Sequence, residues 1–299
     1  MRFRGRAGTR WVPAWPTHRS GHDRRACLAW PLMDALAPAM LETAPAPAET
    51  PVCPEKPARL LFLAVVWVLA AVAAGIASAL VVGVAVGVHN HAASAGPAHA
   101  WTVSPAVYGL ICIAVTDVVL LLAAWARAEV VGRGDVIAGL GGGPITRPRL
   151  LVVLAIVGAA VVIGWMVLLS LWLKPEDQTG ITALLKDAAT TGPVMQAAML
   201  VCMAGLSPVW EELFFRGWLW TGLRRHWRPL PVMVATALPW LLLHMADGLL
   251  RPLFLIPAAI MFSLARQYCG GVRASLTLHV LNNLIALVIV TLALPAGHG

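Results

Sequence analysis

Two adjacent carboxylates, Glu211 and Glu212, and the arginine Arg216 lie in the stretch WEELFFRGWLW, whose other side chains are apolar or aromatic. Ionisable side chains inside a membrane-spanning segment are costly, so they usually mark a functional site. Glu212 and Arg216 are four positions apart, so on a helix they share a face and can form an ion pair. Glu211 points about 100° away from Glu212, which leaves it available to another partner.

Two later apolar stretches contribute other side chains that could take part in the same chemistry. His244 follows Trp240 by four positions, and Asn283 follows His279 by the same interval. Each pair therefore shares one face of a helix. Counting about 1.5 Å of rise per residue from the nearest basic loops, these groups and the carboxylates can meet at a common depth. We expect three helices from the C-terminal half of the chain to form one site.

This set of side chains is suited to hydrolysis. A buried carboxylate can act as a general base toward water, and a histidine can orient that water or carry its proton. A second histidine and an asparagine amide can donate hydrogen bonds to a developing oxyanion. One glutamate with two histidines, here Glu211, His244 and His279, is also a plausible zinc ligand set. The HExxH pattern of common soluble zinc proteases is absent, so the residues leave metal-free and zinc-dependent hydrolysis open.

The composition indicates that membrane helices position these groups. The chain of 299 residues is 59% hydrophobic and only 12% charged, unlike an ordinary soluble domain. The segment 60–88 has no charged residue, and about 20 apolar residues suffice for a helix to cross a bilayer. Lipid leaves open backbone groups without water partners, so the spans are expected to be helices. The predicted fold is an all-α, polytopic transmembrane helix bundle.

Seven apolar segments predict about seven spans. They are 60–88, 105–126, 150–173, 194–221, 230–246, 252–266 and 274–294. The sixth is short and contains Pro252 and Pro257, so if it does not cross the membrane the orientation of the last span inverts. Asp117, in the second segment, has no partner that the sequence identifies; we expect a helix-packing role, with support of the site as the alternative.

Successive connections between the predicted spans are alternately rich and poor in lysine and arginine. This pattern predicts a cytoplasmic N-terminus. The net charge of +8 therefore reflects topology, and no nucleic-acid partner is expected. The basic connections suit a bacterial inner membrane, and an endoplasmic reticulum protein with its site facing the cytosol would fit them as well. The arginine-rich, lysine-poor composition favours the bacterial membrane. The glycine-rich loop 139–148 lacks the residue order of a phosphate-binding loop, and we expect it to be a flexible cytoplasmic connection.

Three regions are expected along the chain. Residues 1–58 are basic and proline-rich, which predicts a disordered cytoplasmic tail; Met33 or Met40 could be the true start. Residues 59–193 would contain the first three spans and their loops, and residues 194–295 the catalytic membrane core.

The motifs in this core resemble those of the CPBP (CAAX protease and bacteriocin-processing, Abi) family, intramembrane proteases related to the type II CAAX prenyl endopeptidase. EELFFR matches the family motif EExxxR, and HVLNN, from His279 to Asn283, matches HxxxN. WLLLH, from Trp240 to His244, matches FxxxH with tryptophan in place of phenylalanine. All three motifs occur in the family's order within predicted spans.

The resemblance implies a helix bundle around a conical cavity open to the cytoplasm. It implies that Glu211 and His244 activate the attacking water, and that His279 and Asn283 stabilise the oxyanion. Glu212 and Arg216 would support the site, with Trp240 as an aromatic wall. Family members are often called metalloproteases, and a metal-free glutamate mechanism has also been argued, so the cofactor is expected to be either none or zinc. The aromatics of the first motif could line a surface for a lipid chain (Phe214, Phe215, Trp218 and Trp220).

The expected function is that of an intramembrane endopeptidase. It would hydrolyse a peptide bond near the C-terminus of a membrane-associated or lipid-modified protein or peptide, prenylated or not. Its partners would be this substrate and the lipid bilayer. The alternative is a non-catalytic protein of the same fold that acts in bacteriocin immunity or as a scaffold. A proton-coupled transporter is a weaker third reading, because the inverted repeats of such proteins are not visible in the sequence.

Overall fold

The structure, a computed structural model, describes residues 55–92, 100–132, 134–173, 183–184, 187–188 and 190–293. The predicted tail lies outside these residues except for 55–58, and so do Met33 and Met40. The division of the chain at residues 58 and 193 remains a prediction. Within the described residues all regular secondary structure is helical, which confirms the expected all-α helix bundle.

Eight helices follow one another along the described chain. They are α1 (Pro57–Ala92), α2 (Pro105–Gly132), α3 (Val136–Gly139), α4 (Pro148–Ser170), α5 (Pro193–Leu223), α6 (Pro229–Leu243), α7 (Arg251–Tyr268) and α8 (Val272–Ala293). All except the short α3 coincide with the seven predicted apolar segments. Five of these seven begin at a proline, whose fixed φ suits the first turn and whose missing N–H is not needed there.

Four of the described helices, α1, α2, α4 and α5, are long and apolar enough to cross a membrane. Pro229–Leu243 and Val272–Val288 are shorter apolar helices. In α4, only 6% of the most apolar 18-residue window is buried inside the protein, so most of its apolar side chains face outward. A surface of this kind suits lipid rather than water, and the chain is an integral membrane protein.

Helix α5 lies at the centre of the bundle, where it packs against α2, α6 and α8. Its aromatic side chains at 214, 215, 218 and 220 are at most 2% exposed and do not line the large cavity described below. They form part of the hydrophobic core and not the surface for a lipid chain that was expected from the sequence. Their edge-to-face contacts, such as the 5.1 Å between the ring centroids of Phe214 and Phe215, are a favourable arrangement of buried rings.

The backbone of α5 changes its hydrogen-bond pattern twice. Cys202–Leu206 and Glu212–Leu219 are π-helical, with the α-helical residues Ser207–Glu211 between them. π-Helical turns bond residues five apart, are rare, and occur frequently at functional sites. The second stretch begins immediately after Glu211, so the two adjacent carboxylates lie at the junction of two helix types.

The glycine-rich loop 139–148 is packed against the turn between α7 and α8. Gly141 O accepts a hydrogen bond from the Val272 amide at 3.2 Å, and the Thr146 amide donates to Cys269 O at 2.9 Å. The expectation of a flexible connection is therefore wrong, because both segments share main-chain hydrogen bonds.

Glycine at position 271 permits this contact. Gly271 has φ 107°, and a Cβ there would lie 2.5 Å from Gly141 O. Both the left-handed conformation and the close approach exclude a side chain.

Candidate active site

One cavity of about 300 Å³ brings together the four residues expected to be catalytic. Glu211 comes from α5, His244 follows α6, and His279 and Asn283 come from α8. Helices α1, α2 and α7 complete the wall. The meeting of three helices from the C-terminal half, expected from helical rise alone, is observed.

Glu211 is a nearly buried carboxylate, 6% exposed, between two side chains of other helices. Its Oε2 accepts a hydrogen bond from the indole Nε1 of Trp240. The same oxygen lies 3.6 Å from Nε2 of His279. Trp240 therefore contributes a hydrogen-bond donor as well as the expected aromatic wall.

Glu212 contacts Arg216 and shares His279 with Glu211. Its Oε1 is 3.2 Å from Nη1 of Arg216 and 3.0 Å from Nδ1 of His279. Glu212 and Arg216 are both fully buried, and the ion pair expected from their spacing is present. Because the carboxylate accepts, His279 donates from Nδ1, and its Nε2 is the nitrogen directed to Glu211.

Aromatic rings enclose the cation and the imidazole of this cluster. The Arg216 guanidinium lies 4.8 Å from the ring centroid of Trp240 and 5.8 Å from that of Phe262, which stabilises a buried cation. The His279 ring stacks on Phe262 with the centroids 4.3 Å apart. These contacts fix the plane of the imidazole.

His244 lies where α6 ends and a 3₁₀ turn, His244–Asp247, begins. Its Nδ1 hydrogen-bonds to Trp240 O at 2.9 Å. Since a carbonyl only accepts, Nδ1 carries the hydrogen, and Nε2 is left as the acceptor available to a molecule in the cavity.

Asn283 satisfies a carbonyl of the first π-helical stretch. In an α-helix the Ser207 amide would donate to Met203 O, but here it donates to Cys202 O. Asn283 Nδ2 donates to Met203 O instead, at 3.0 Å. Asn283 Oδ1 accepts from Asn282 Nδ2 at 3.3 Å. Asn282 lines the cavity as well.

Asp117 is a cavity residue whose partners the sequence did not reveal. It is 3% exposed. One carboxylate oxygen accepts from Ser207 Oγ at 2.6 Å and the other from Trp210 Nε1. Its partners are 90 and 93 residues away on α5, beyond the reach of spacing rules. A lone carboxylate inside an apolar segment was the only available signal.

The C-terminal part of the chain matches a protein family. Residues 193–285 match the family model for the Rce1-like type II CAAX prenyl endopeptidase. This segment is similar to CAAX-type proteases. It contains all seven residues of the three sequence motifs. No curated protein and no solved structure matches the chain.

Part of the cavity wall lies outside this Rce1-like segment. Val72 of α1 and Cys112, Ile113, Thr116 and Asp117 of α2 line the same cavity. The helices before residue 193 therefore contribute to the same cavity as the motif residues.

A zinc site, which the sequence leaves open, would use Glu211, His244 and His279 as ligands. Among the residues that the structure describes, no three or more His, Cys, Asp and Glu side chains form a group that could hold a metal ion. Glu211, His244 and His279 share the cavity. One oxygen of Glu211 already has a protein partner, whereas the Nδ1 bond of His279 is compatible with ligation through Nε2. Oε2 of Glu211 is bonded to Trp240 and Nδ1 of His279 to Glu212.

Proposed function

We propose that this chain is an intramembrane endopeptidase in which Glu211 and His244 activate the attacking water. The observation that carries the proposal is the position of Glu211, which is nearly buried and lines the same cavity as His244, His279 and Asn283. The protease family of residues 193–285 supports it. Such a carboxylate can accept a proton from water.

The first step is attack on the peptide carbonyl carbon. The water oxygen forms a bond to that carbon as Glu211 takes one water proton, while the neutral Nε2 of His244 orients the water. The carbonyl π electrons move to the oxygen and produce a tetrahedral oxyanion. The carboxylate and the imidazole together position the water and take up its proton.

Stabilisation of the oxyanion is assigned to His279 and Asn283. One amide hydrogen of Asn283 is used by Met203 O, and the second is available to the oxyanion. His279 Nε2 can donate once the ring takes up a proton, and the Glu211 carboxyl, 3.6 Å away, can supply it. The Glu212 carboxylate on the other side of the ring then faces a positive imidazolium.

The second step breaks the carbon–nitrogen bond. The oxyanion reforms the carbonyl, and the proton held by the Glu211–His279 pair passes to the leaving amine. With that proton gone, Glu211 is again a carboxylate. The carboxylic acid product then loses its hydroxyl proton to solvent, and the amine product takes one up. No step passes through a metal, and zinc remains an untested possibility for the site.

We further propose that the substrate is a membrane-associated or lipid-modified protein or peptide, cleaved near its C-terminus. The description of the matched family as a prenyl endopeptidase supports this class. The proposed location is a bacterial inner membrane, with the N-terminus cytoplasmic and the cavity open to the cytoplasm. The distribution of basic residues supports that orientation.

The test uses purified protein in lipid and a mixed panel of prenylated and unmodified peptides, with cleavage sites read by mass spectrometry. Glu211→Gln is the inactive comparison. Glu129→Gln is its matched control, since Glu129 is an exposed glutamate on α2. Cleavage by the wild type and by Glu129→Gln, with none by Glu211→Gln, is expected. Equal cleavage by Glu211→Gln would exclude the proposed base, and no cleavage at all would favour the scaffold or immunity alternative.

A further inference from the structure

In the second π-helical stretch, Glu212–Leu219, one main-chain carbonyl loses the donor that an α-helix would give it. At its end the Trp220 amide bonds to Phe215 O and to Gly217 O. It does not bond to the carbonyl between them, that of Arg216, which is its partner in a regular α-helix. A buried carbonyl without a donor is costly, so another group must satisfy it.

Arg266 of α7 supplies that donor. Its Nε donates to Arg216 O at 2.6 Å, and its Nη2 donates to Thr221 Oγ1 at 3.2 Å. The guanidinium also lies 5.7 Å from the ring centroid of Trp220. A Cβ on Gly141 would lie 2.2 Å from Nη2, so the glycine-rich loop closes over the group and fixes its position.

The carbonyl belongs to a residue that is directly connected to the candidate catalytic groups. The Arg216 side chain pairs with Glu212, and Glu212 holds Nδ1 of His279. His279 in turn places Nε2 at 3.6 Å from Glu211. A change in the backbone at Arg216 would therefore alter the orientation of the imidazole and its distance from the proposed base.

Both π-helical stretches are completed in the same way. In the first, Met203 O is passed over by the helix and accepts from Asn283 of α8. In the second, Arg216 O is passed over and accepts from Arg266 of α7. Without these donors, each carbonyl could be satisfied most simply by returning to the α-helical pattern, which would rotate the residues after it relative to those before it.

We propose that Arg266 is a positioning residue for the peptidase reaction. By donating to Arg216 O, it keeps the second π-helical stretch in the geometry that presents Glu212 to His279. This inference rests on the proposed function, because its effect on the reaction requires that the chain cleave peptides.

The experiment compares Arg266→Gln and Arg266→Lys with two matched controls in the full chain in lipid. Thr221→Val removes the second partner of Arg266 and leaves the bond to Arg216 O. Arg225→Gln removes another arginine that donates to a carbonyl of a different helix, Val131 O at 3.1 Å. The measurements are kcat and KM on a peptide that the wild type cleaves, and hydrogen exchange of the segment 212–223.

Arg266→Gln is expected to lower kcat by about 10- to 100-fold with KM changed by less than about twofold, because the catalytic groups are misplaced while the cavity persists. Hydrogen exchange of the segment 212–223 should become faster. Arg266→Lys keeps one donor and should retain more of kcat, and both controls should keep the wild-type kcat. The inference would be overturned if the loss of kcat only followed the folded fraction of the protein, or if it equalled the loss in Arg225→Gln.

Failure of the inference differs from failure of the proposed function. If the wild type cleaves and Arg266→Gln keeps its kcat, the inference is overturned and the proposed function stands. If the wild type cleaves no peptide, both are overturned. If Arg266→Gln does not fold, Arg266→Lys decides: faster exchange with a lowered kcat supports the inference, and faster exchange with an unchanged kcat contradicts it.

Discussion

The indole Nε1 of Trp240 donates a hydrogen bond to Oε2 of Glu211, joining α6 to the carboxylate proposed as the general base. The CAAX protease motif that this segment resembles has phenylalanine at the position of Trp240. Phenylalanine has no donor, so here the departure from the motif adds a polar contact to the site. The bond is made to the carboxylate oxygen that also lies 3.6 Å from Nε2 of His279.

Trp240→Phe tests that contact. The ring would still pack beside His244 and Arg216, but Glu211 would lose its donor. A hydrogen bond to a charged group contributes about 1.5–3 kcal/mol, so we expect kcat to fall by about tenfold with a small change in KM. Trp210→Phe, which removes the indole donor to Asp117, is the control and should have the smaller effect on kcat. Equal activity of Trp240→Phe and the wild type would show that the bond is dispensable.

Glu212→Gln should lower both stability and activity. It leaves the fully buried Arg216 guanidinium without its carboxylate, and loss of one partner of a buried ion pair costs about 3–5 kcal/mol. The double variant Glu212→Gln with Arg216→Met removes both charges and should recover stability without recovering activity, because His279 remains unsupported. Thermal unfolding in detergent and peptide cleavage would separate the two effects. Recovery of cleavage in the double variant would contradict the assigned role of Glu212.

Asp117→Asn should loosen the wall formed by α2. The carboxylate accepts from two donors on α5, whereas an asparagine oxygen can accept only on one side and its NH₂ would face a donor. We expect a loss of about 1–3 kcal/mol in the free energy of unfolding. Asp135→Asn, at the exposed start of α3 where the side chain accepts from the Ala138 amide, is the control and should cost less. An unchanged unfolding midpoint for Asp117→Asn would mean that Asp117 does not hold α2 to α5.

Chelation should leave cleavage intact. Glu211, His244 and His279 are not grouped as metal ligands in the described chain, and the proposed steps use only proton transfer and hydrogen bonding. Elemental analysis of the purified protein and assays after treatment with 1,10-phenanthroline would check this. Stoichiometric zinc whose removal abolishes both activity and thermal stability would require a zinc mechanism instead.

Gly271→Ala should destabilise the contact between the glycine-rich loop and the α7–α8 turn. The added Cβ would lie 2.5 Å from Gly141 O, and the backbone is in the left-handed region. Gly134→Ala is the matched control: Gly134 also has a positive φ, 89°, but a Cβ there meets nothing within 4 Å. The difference between their thermal unfolding midpoints measures the close contact apart from backbone strain.

Residue spacing was enough to predict contacts within one helix and the depth of residues along it. The ion pair of Glu212 with Arg216 follows from an interval of four residues. The meeting of Glu211, His244 and His279 follows from depth along apolar helices. Helical rise and hydrophobic length are properties of short segments, so they can be read without knowing the partner helices.

Contacts between distant segments could not be predicted in this way. The bond from Trp240 to Glu211 depends on how α6 packs against α5. The partners of Asp117 depend on how α2 packs against α5. The π-helical stretches were missed because a period of 3.6 residues was assumed throughout α5. The packing of the loop 139–148 was missed because glycine content alone does not reveal a neighbouring segment.

The cavity wall contributed by α1 and α2 has an evolutionary consequence. The proposed reacting groups lie within residues 193–285, whereas Val72, Cys112 and Thr116 face the same space from earlier helices. Substitutions at those three positions can alter the shape of the cavity without changing any motif residue. Proteins with the same C-terminal segment and different preceding helices could thus share a reaction and differ in their substrates, and exchanging α1 and α2 between such proteins would transfer selectivity.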